Sequence, residues 1–330
     1  MTGLHVAGTG SYVPSQIVTN DDMAKIVDTS DEWIRERTGI RERRLSKGET
    51  TSFMAAQAAG RALEDAGIPA EGLDLIIACS VTPDYCTPSL SCIVQKQIGA
   101  SSAFCFDLNA ACSGFIYALD AAYRYLATGG AKTVMIVCSE LLSRITDFTD
   151  RSTCVLFGDA AAAVVLTAAP GKLFASELRA EGALGAALAC SYPENPSPFA
   201  TERENGEYRP IDAPGHFLRM AGRDVYRFAT RAMPESIEAA CAKAGISPQA
   251  LDLIVPHQAN IRIVRTAMDR LGIGMDKVYT NLDRFGNTSS ASIPLCLDEL
   301  RHKGRPQAGQ KVALSGFGAG LTYGAVVMEW

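Results

Sequence analysis

The feature that most constrains what this chain can fold into is that it repeats itself. Ala66-Gly67-Ile68 followed by Leu73-Asp74-Leu75-Ile76-Ile77 returns as Ala244-Gly245-Ile246 followed by Leu251-Asp252-Leu253-Ile254-Val255, displaced throughout by 178 residues. The same displacement carries Asn109 onto Asn287, and three positions further on it carries Cys112 onto Ser290. An offset held across helix, turn, strand and loop reads as duplication. Two like halves are expected to pack about a pseudo-twofold axis, with matched loop ends meeting near it. Chemistry is then sought where the copies differ, at Cys112 in the first and at His257 and Asn287 in the second.

A length of 330 residues admits one large core or two fused ones, and the repeat favours two similar units, 1–170 and 171–330. With 47% apolar and 20% charged residues, the composition is that of a soluble globular protein. A net charge of −5 argues against a nucleic-acid binder dominated by phosphate contacts. The ten cysteines are scattered singly, and none of the four histidines lies near a cysteine pair, so neither a metal site nor a disulfide framework is expected. Cys79, Cys138 and Cys154 sit in apolar runs and read as small buried hydrophobes of a reducing compartment. The sequence carries no basic-then-apolar leader and no apolar run of membrane-spanning length, and the expectation is a cytoplasmic protein without membrane contact.

Along the chain, residues 4–10, 73–79, 103–108 and 133–139 read as strands, and 31–38, 51–66, 88–98 and 114–128 as helices. A further helix is expected at 21–27 with Asn20 as its cap, and residues 154–166 read as strand, Gly-Asp turn, strand. In the second copy a helix begins near 221, on the stripe Val225, Phe228, Ala229, Ala232 and Met233. Strand 251–256, helix 261–271, a short strand at 278–280, helix 291–302 and strands 312–315 and 323–327 follow. Strands apolar throughout, alternating with helices, indicate a sheet covered on both faces. Residues 182–215, with five prolines, fit neither period and read as a long surface excursion, of a length that often forms lids or binding loops. Residues 35–44 carry five arginines and two glutamates; a solvated face is the plain reading and a phosphate-binding rim the alternative. The glycine-rich turn at 316–320 lacks the strand-to-helix context of a dinucleotide fingerprint.

Cys112 stands in Asn109-Ala110-Ala111-Cys112-Ser113-Gly114, between a short strand and a small-residue helix. Small neighbours admit a substrate, and a helix N-terminus favours a thiolate; the alternative is one more buried cysteine. His257 follows an apolar strand directly, at the carboxyl end where open α/β sheets form their ligand crevices. Asn287, in Phe285-Gly286-Asn287-Thr288-Ser289-Ser290, also suits a plain cap or turn.

Further motifs are Thr29-Ser30-Asp31-Glu32-Trp33-Ile34, Arg37-Thr38-Gly39-Ile40, Phe157-Gly158-Asp159 and His257-Gln258-Ala259-Asn260. Taken with the segments around Cys112 and Asn287 and the turn at 316–320, they resemble, over essentially the whole length, the β-ketoacyl-acyl-carrier-protein synthase III family. These are the initiating condensing enzymes of bacterial fatty-acid synthesis, in the thiolase superfamily. The resemblance implies a five-layer α/β/α/β/α thiolase-like fold of two duplicated halves, a homodimer, and no metal or tightly bound cofactor. It implies a Cys-His-Asn triad of Cys112, His257 and Asn287, where elongating relatives use two histidines. The implied reaction is acyl transfer from a short acyl-coenzyme A, acetyl by default, to Cys112, then decarboxylative condensation with malonyl-acyl-carrier protein. His257 and Asn287 would donate to the malonyl carbonyl, and the backbone N–H groups of Cys112 and Ala319 would form the oxyanion hole. A thiol lowered by the helix N-terminus would make His257 dispensable as a base. Trp33 and Arg151 would hold the adenine and Arg37 the phosphates, with Asn260 and Thr29 further along the coenzyme and Arg262 docking the carrier protein. Two departures from the well-known bacterial forms are Arg223, where they have asparagine, and the longer excursion at 182–215. A priming enzyme of polyketide-type metabolism and a non-catalytic acyl- or coenzyme-A-binding subunit are the competing readings.

Overall fold

The computed structural model describes residues 2–191 and 217–330. After β1 (Thr2–Tyr12) comes an arm, in which the hairpin of β2 (Gln16–Thr19) and β3 (Glu42–Leu45) encloses α1 (Asn20–Met23) and α2 (Asp31–Thr38). The chain continues through α3 (Thr51–Ala66), β4 (Leu75–Cys79), α4 (Leu90–Ile98), β5 (Phe104–Leu108), α5 (Gly114–Thr128), β6 (Thr133–Glu140), α6 (Arg151–Cys154) and β7 (Ala160–Pro170). A second series holds β8 (Phe174–Ala180), β9 (Leu188–Ala189), β10 (Arg219–Met220), α7 (Gly222–Ala244), β11 (Leu253–Pro256), α8 (Ile261–Leu271), α9 (Leu282–Phe285), α10 (Ser292–His302), β12 (Lys311–Gly318) and β13 (Thr322–Glu329). Two principal sheets result, ordered β1-β7-β6-β4-β5 and β11-β12-β13-β8.

The fully apolar strands still obey a period of two. Leu75, Ile77 and Cys79 of β4 and Val134, Ile136 and Cys138 of β6 face a central core, while Ile76, Ala78, Met135 and Val137 face an outer one. The central core packs on Phe115, Ile116 and Leu119 of α5 and on Ile293, Cys296 and Leu297 of α10, and through them on Val255 and Leu314 of the second sheet. Outside, α3 and α4 cover the first sheet, and α7 and α8 cover Ile254, Ala313 and Val327 of the second. The order is therefore helices, sheet, helices, sheet, helices, the five-layer thiolase-like architecture. The 178-residue displacement relates whole elements: β6 to β12, and the 3₁₀ turn Ala111–Ser113 to Ser289–Ala291. Asp74 accepts from the Thr133 N–H at 2.9 Å, and its counterpart Asp252 accepts from Lys311 N–H at 2.8 Å.

Several local expectations are corrected. Thr19, not Asn20, caps α1, in a capping box with Asp22; Asn20 is buried and its amide donates to Asp31 and to the Ile40 carbonyl. Residues 154–166 are not a strand pair: Asp150 caps the helical turn α6, Phe157 makes only an isolated bridge to Asn287, and the strand begins at Ala160. Residues 278–280 reduce to one bridge between Val278 and Ile254. The basic run is not one solvated face, because Arg43 is wholly buried. Its guanidinium donates to the carbonyls of Val18 (3.2 Å) and Val155 (2.7 Å) and to Asn20 Oδ1 (2.9 Å), beside a core that Met23, Ile34 and Ile40 of the arm form with Cys154, Val155 and Leu282. The excursion begins as a 3₁₀ helix, Gly182–Ala187, and its two feet, β9 and β10, pair with each other; its prolines 193, 196, 198, 210 and 214 lie outside the described residues. Among the described residues no helix is long and apolar enough to cross a membrane.

Candidate active site

Cys112 is presented by a strained turn. Asn109 Oδ1 accepts from the Ala111 N–H at 3.2 Å, Ala111 has φ 46°, and the Ser113 hydroxyl donates to the Ala110 carbonyl at 2.7 Å. The matched turn repeats this: Asn287 Oδ1 accepts from Ser289 N–H at 2.9 Å, and Ser289 has φ 50°. Asn287 thus makes its turn with Oδ1, which leaves Nδ2 as a donor.

His257 continues from β11, its N–H donating to the Ser315 carbonyl at 2.8 Å, and only 1% of it is exposed. Its Nδ1 lies 2.7 Å from Ser292 Oγ, and its ring meets Phe317 edge-on at 5.3 Å. Ser292 Oγ already receives the Gln258 N–H at 3.4 Å. A neutral ring that accepts the Ser292 hydroxyl proton at Nδ1 carries its own proton on Nε2. Burial lowers the His257 pKa to about 3, so the ring is neutral at ordinary pH.

The turn between β12 and β13 presses on Cys112. A Cβ on Gly318 would lie 2.6 Å from the Cys112 nitrogen, so only glycine fits there. Thr322 Oγ1 lies 3.0 Å from the carbonyls of Ala110 and Ala319 and 2.7 Å from Ser113 Oγ, tying the two loops together. Cys112, His257, Asn287, Ser289, Gly318 and Ala319 meet on the wall of one cavity of about 830 Å³. Asn260 and Tyr226 line it too, and Leu142, Leu156, Leu188 and Met220 add apolar surface.

The remaining predicted residues stand outside that wall. Arg151 lies over the Trp33 indole at 5.0 Å and donates to the Asp28 carbonyl at 2.7 Å. At that separation a planar ring enters between them only if one side chain moves. Thr29 Oγ1 is buried without a hydrogen-bond partner. The Arg37 carbonyl accepts from Asn260 Nδ2 at 2.9 Å, while Asn260 Oδ1 caps α8 through Arg262 N–H at 2.8 Å. Arg262 is exposed, 5.9 Å from the Tyr226 ring centre.

The expectation of a thiol lowered by its helix is corrected. Burial pushes the Cys112 thiol up to about 12; contact with the Ser289 hydroxyl offsets part of this, and the Glu140 charge adds to it. Sequence reading also missed Glu140, Ser289 and Ser292. The available signal was a glutamate closing an otherwise apolar strand, since an unpaired buried carboxyl is rare.

Residues 106–182 match the family described as 3-oxoacyl-[acyl-carrier-protein (ACP)] synthase III, and residues 241–330 match the description of its C-terminal part. The chain is 47% identical over 331 residues to the beta-ketoacyl-[acyl-carrier-protein] synthase III of Clostridium acetobutylicum, covering 100% of this chain and 99% of that one. The solved 3-oxoacyl-[acyl-carrier-protein] synthase III of Aquifex aeolicus VF5 superposes with a TM-score of 0.91 at 42% identity, over 99% of this chain and 100% of that one. The priming beta-ketosynthase of the R1128 polyketide pathway superposes with a TM-score of 0.90 at 34% identity, over 99% and 96%. With such identity along its whole length, the chain belongs to the 3-oxoacyl-[acyl-carrier-protein] synthase III family of condensing enzymes.

Proposed function

We propose that Cys112, His257 and Asn287 carry the family's initiating condensation in this protein. The observation that carries the reading is that these side chains, from both copies of the repeat, meet on one cavity wall beside Gly318 and Ala319. Cys112 Sγ attacks the thioester carbonyl of an acyl-coenzyme A, coenzyme A leaves, and the acyl group stays on sulfur. Malonyl-acyl-carrier protein then loses carbon dioxide, and its carbanion attacks the acyl-cysteine. His257 Nε2–H and Asn287 Nδ2–H donate to the malonyl carbonyl as enolate charge develops. The N–H groups of Cys112 and Ala319 hold the oxyanion, each such donor being worth about 10²–10³-fold in rate.

In this reading 1–170 and 171–330 are the duplicated units, and acyl-coenzyme A is a substrate beside which no metal or bound cofactor is needed. Trp33, Arg151, Arg37, Thr29 and Asn260 hold the coenzyme, and Arg262 steers the acidic carrier protein. The free edge of β5, with Phe104 44% exposed beside Tyr125, suits a homodimer that extends the sheet. A cytoplasmic location accords with these substrates. The size and apolar lining of the cavity, and the likeness to a polyketide priming ketosynthase, favour as a second reading a primer larger than acetyl.

The test is the intact mass of the protein after mixing with acetyl-, isobutyryl- and longer-chain coenzyme A thioesters, beside Cys112→Ala. Gain of one acyl group, absent in the variant, is the expected result, and the preferred acyl group identifies the primer. No adduct with any thioester overturns the reading in favour of a binding protein.

A further inference from the structure

The two turns that meet at Cys112 come from distant stretches of chain, and a pair of hydroxyls joins them. Ser113 is buried; its N–H and its hydroxyl both donate to the Ala110 carbonyl, at 3.1 and 2.7 Å. Thr322, the first residue of β13, holds its Oγ1 2.7 Å from Ser113 Oγ across 209 residues of chain. The same oxygen lies 3.0 Å from the Ala319 carbonyl. With the Ser113 proton on Ala110, the Thr322 proton is left to Ser113 Oγ on one side and the Ala319 carbonyl on the other, an acceptor in each turn. Elsewhere the turns touch through bare backbone: a Cβ on Gly316 would lie 3.3 Å from Ser113 Cα, and one on Gly318 2.6 Å from the Cys112 nitrogen.

The duplication tells what this pair is for. The 178-residue displacement carries Ser113 to Ala291 and Glu140 to Gly318. Across the ladders Gly318 pairs with Thr322, and Glu140 pairs with Ala160. Ala160 is therefore the counterpart of Thr322, and in the copy that presents Ser290 both hydroxyls are replaced by buried alanines. The turn forms there all the same, with Ser289 at φ 50° as Ala111 is at 46°. Its shape does not depend on the hydroxyls; what they add is a link between two turns. A hole made of two N–H donors works only when both aim at one point, and its supports must hold them to within about 0.5 Å. Resting on the reading of the Cys112 and Ala319 N–H groups as the oxyanion hole, we infer that Thr322, acting through Ser113, is the positioning residue that fixes the separation of those two donors.

The experiment compares Thr322→Val, Thr322→Ser, Ser113→Ala and the double variant of Thr322→Val with Ser113→Ala against wild type. Acylation by the coenzyme A thioester that the wild type prefers is followed by intact mass, and condensation from preloaded acyl-enzyme with malonyl-acyl-carrier protein. Alkylation of Cys112 by iodoacetamide, read by peptide mass, displaces iodide without building an oxyanion and so reports the thiol alone. Thr322→Val is expected to slow both half-reactions about tenfold, with KM for the thioester and the alkylation rate unchanged. Thr322→Ser recovers most of the rate, and Ser113→Ala adds no loss on top of Thr322→Val, the link being already broken. Wild-type rates in Thr322→Val overturn the inference and leave the nucleophile assignment standing. A raised KM at unchanged kcat, a loss confined to one half-reaction, or no recovery in Thr322→Ser overturns it as well. So do single losses that multiply in the double variant, and alkylation slowed in step with acylation, which means that the thiol itself has moved. Should Thr322→Val not fold, Ser113→Ala carries the same comparison. Failure of the wild type to acylate with any thioester would instead bring down the nucleophile assignment.

Discussion

The turns that present Cys112 and Ser290 share one backbone and hold opposite contents. Each is set by an asparagine accepting from the N–H two residues on, each strains the next-to-last residue into positive φ, and each leads into a buried helix between the sheets. In front of Cys112 the strand end is Gly318, where a side chain would collide with the Cys112 nitrogen. At the matching strand end stands Glu140, whose carboxyl takes up the Ser290 hydroxyl. The strand-end partner is His257 in one copy and Cys79 in the other. Duplication supplied two equal frames, and in the proposed reading reactivity follows from which was left open and which was plugged.

Exchanging the contents should break the comparison most severely at the nucleophile. Cys112→Ala is expected to abolish acyl-enzyme formation, a loss of at least about 10³-fold, whereas Ser290→Ala costs far less; equal losses on an intact-mass assay would erase the distinction. Next in size, Gly318→Ala forces a methyl against the Cys112 nitrogen and should lower kcat about 10²–10³-fold, with acylation and condensation both slowed. A kinetically silent substitution would remove the open hole from the comparison. His257→Asn should slow condensation while sparing acyl-enzyme formation, and it also tests the buried ring thermodynamically. The folded ring has a pKa of about 3 against an ordinary 6.5, so the unfolded chain binds the extra proton first. Its contribution to stability is whole above pH 6.5 and is lost as pH falls toward 3. Between pH 7 and 4.5 the wild type should lose on the order of 2 kcal/mol that His257→Asn does not, measured by urea midpoints. The smallest effect concerns the rim: Trp33→Ala should raise KM for acyl-coenzyme A about fivefold, as expected for one lost stacking contact, and leave kcat near wild type.

Much of this was legible because local signals happened to agree with distant ones. Helices 51–66, 114–128 and 261–271 end at Gly67, Gly129 and Gly272, all left-handed, and those punctuation marks are visible without any fold. The constant offset brought Cys112, His257 and Asn287 into one discussion before any geometry was known; the coenzyme residues came only from family resemblance. What could not be read depends on convergence. Glu140 is held against the Ser290 turn because donors from residues 81, 82 and 290 surround it, and no window of sequence contains all three. β8 gives no clear strand signal because its alternating burial is masked by charged neighbours. Arg43 reads in sequence as one more solvated charge because its acceptors come from residues 18, 20 and 155.

That arginine has a consequence for how such an enzyme can change. It is a rivet in the arm that carries Trp33 and Arg37, and its partners are neutral oxygens, so salt does little to loosen it. A lysine offers one compact charge in place of a planar fork and cannot span the same acceptors. In the proposed reading, preference for the whole coenzyme over its pantetheine fragment is therefore stored partly in the interior. A lineage could retune its choice of acyl donor there, out of reach of solvent, without altering a residue that the donor touches.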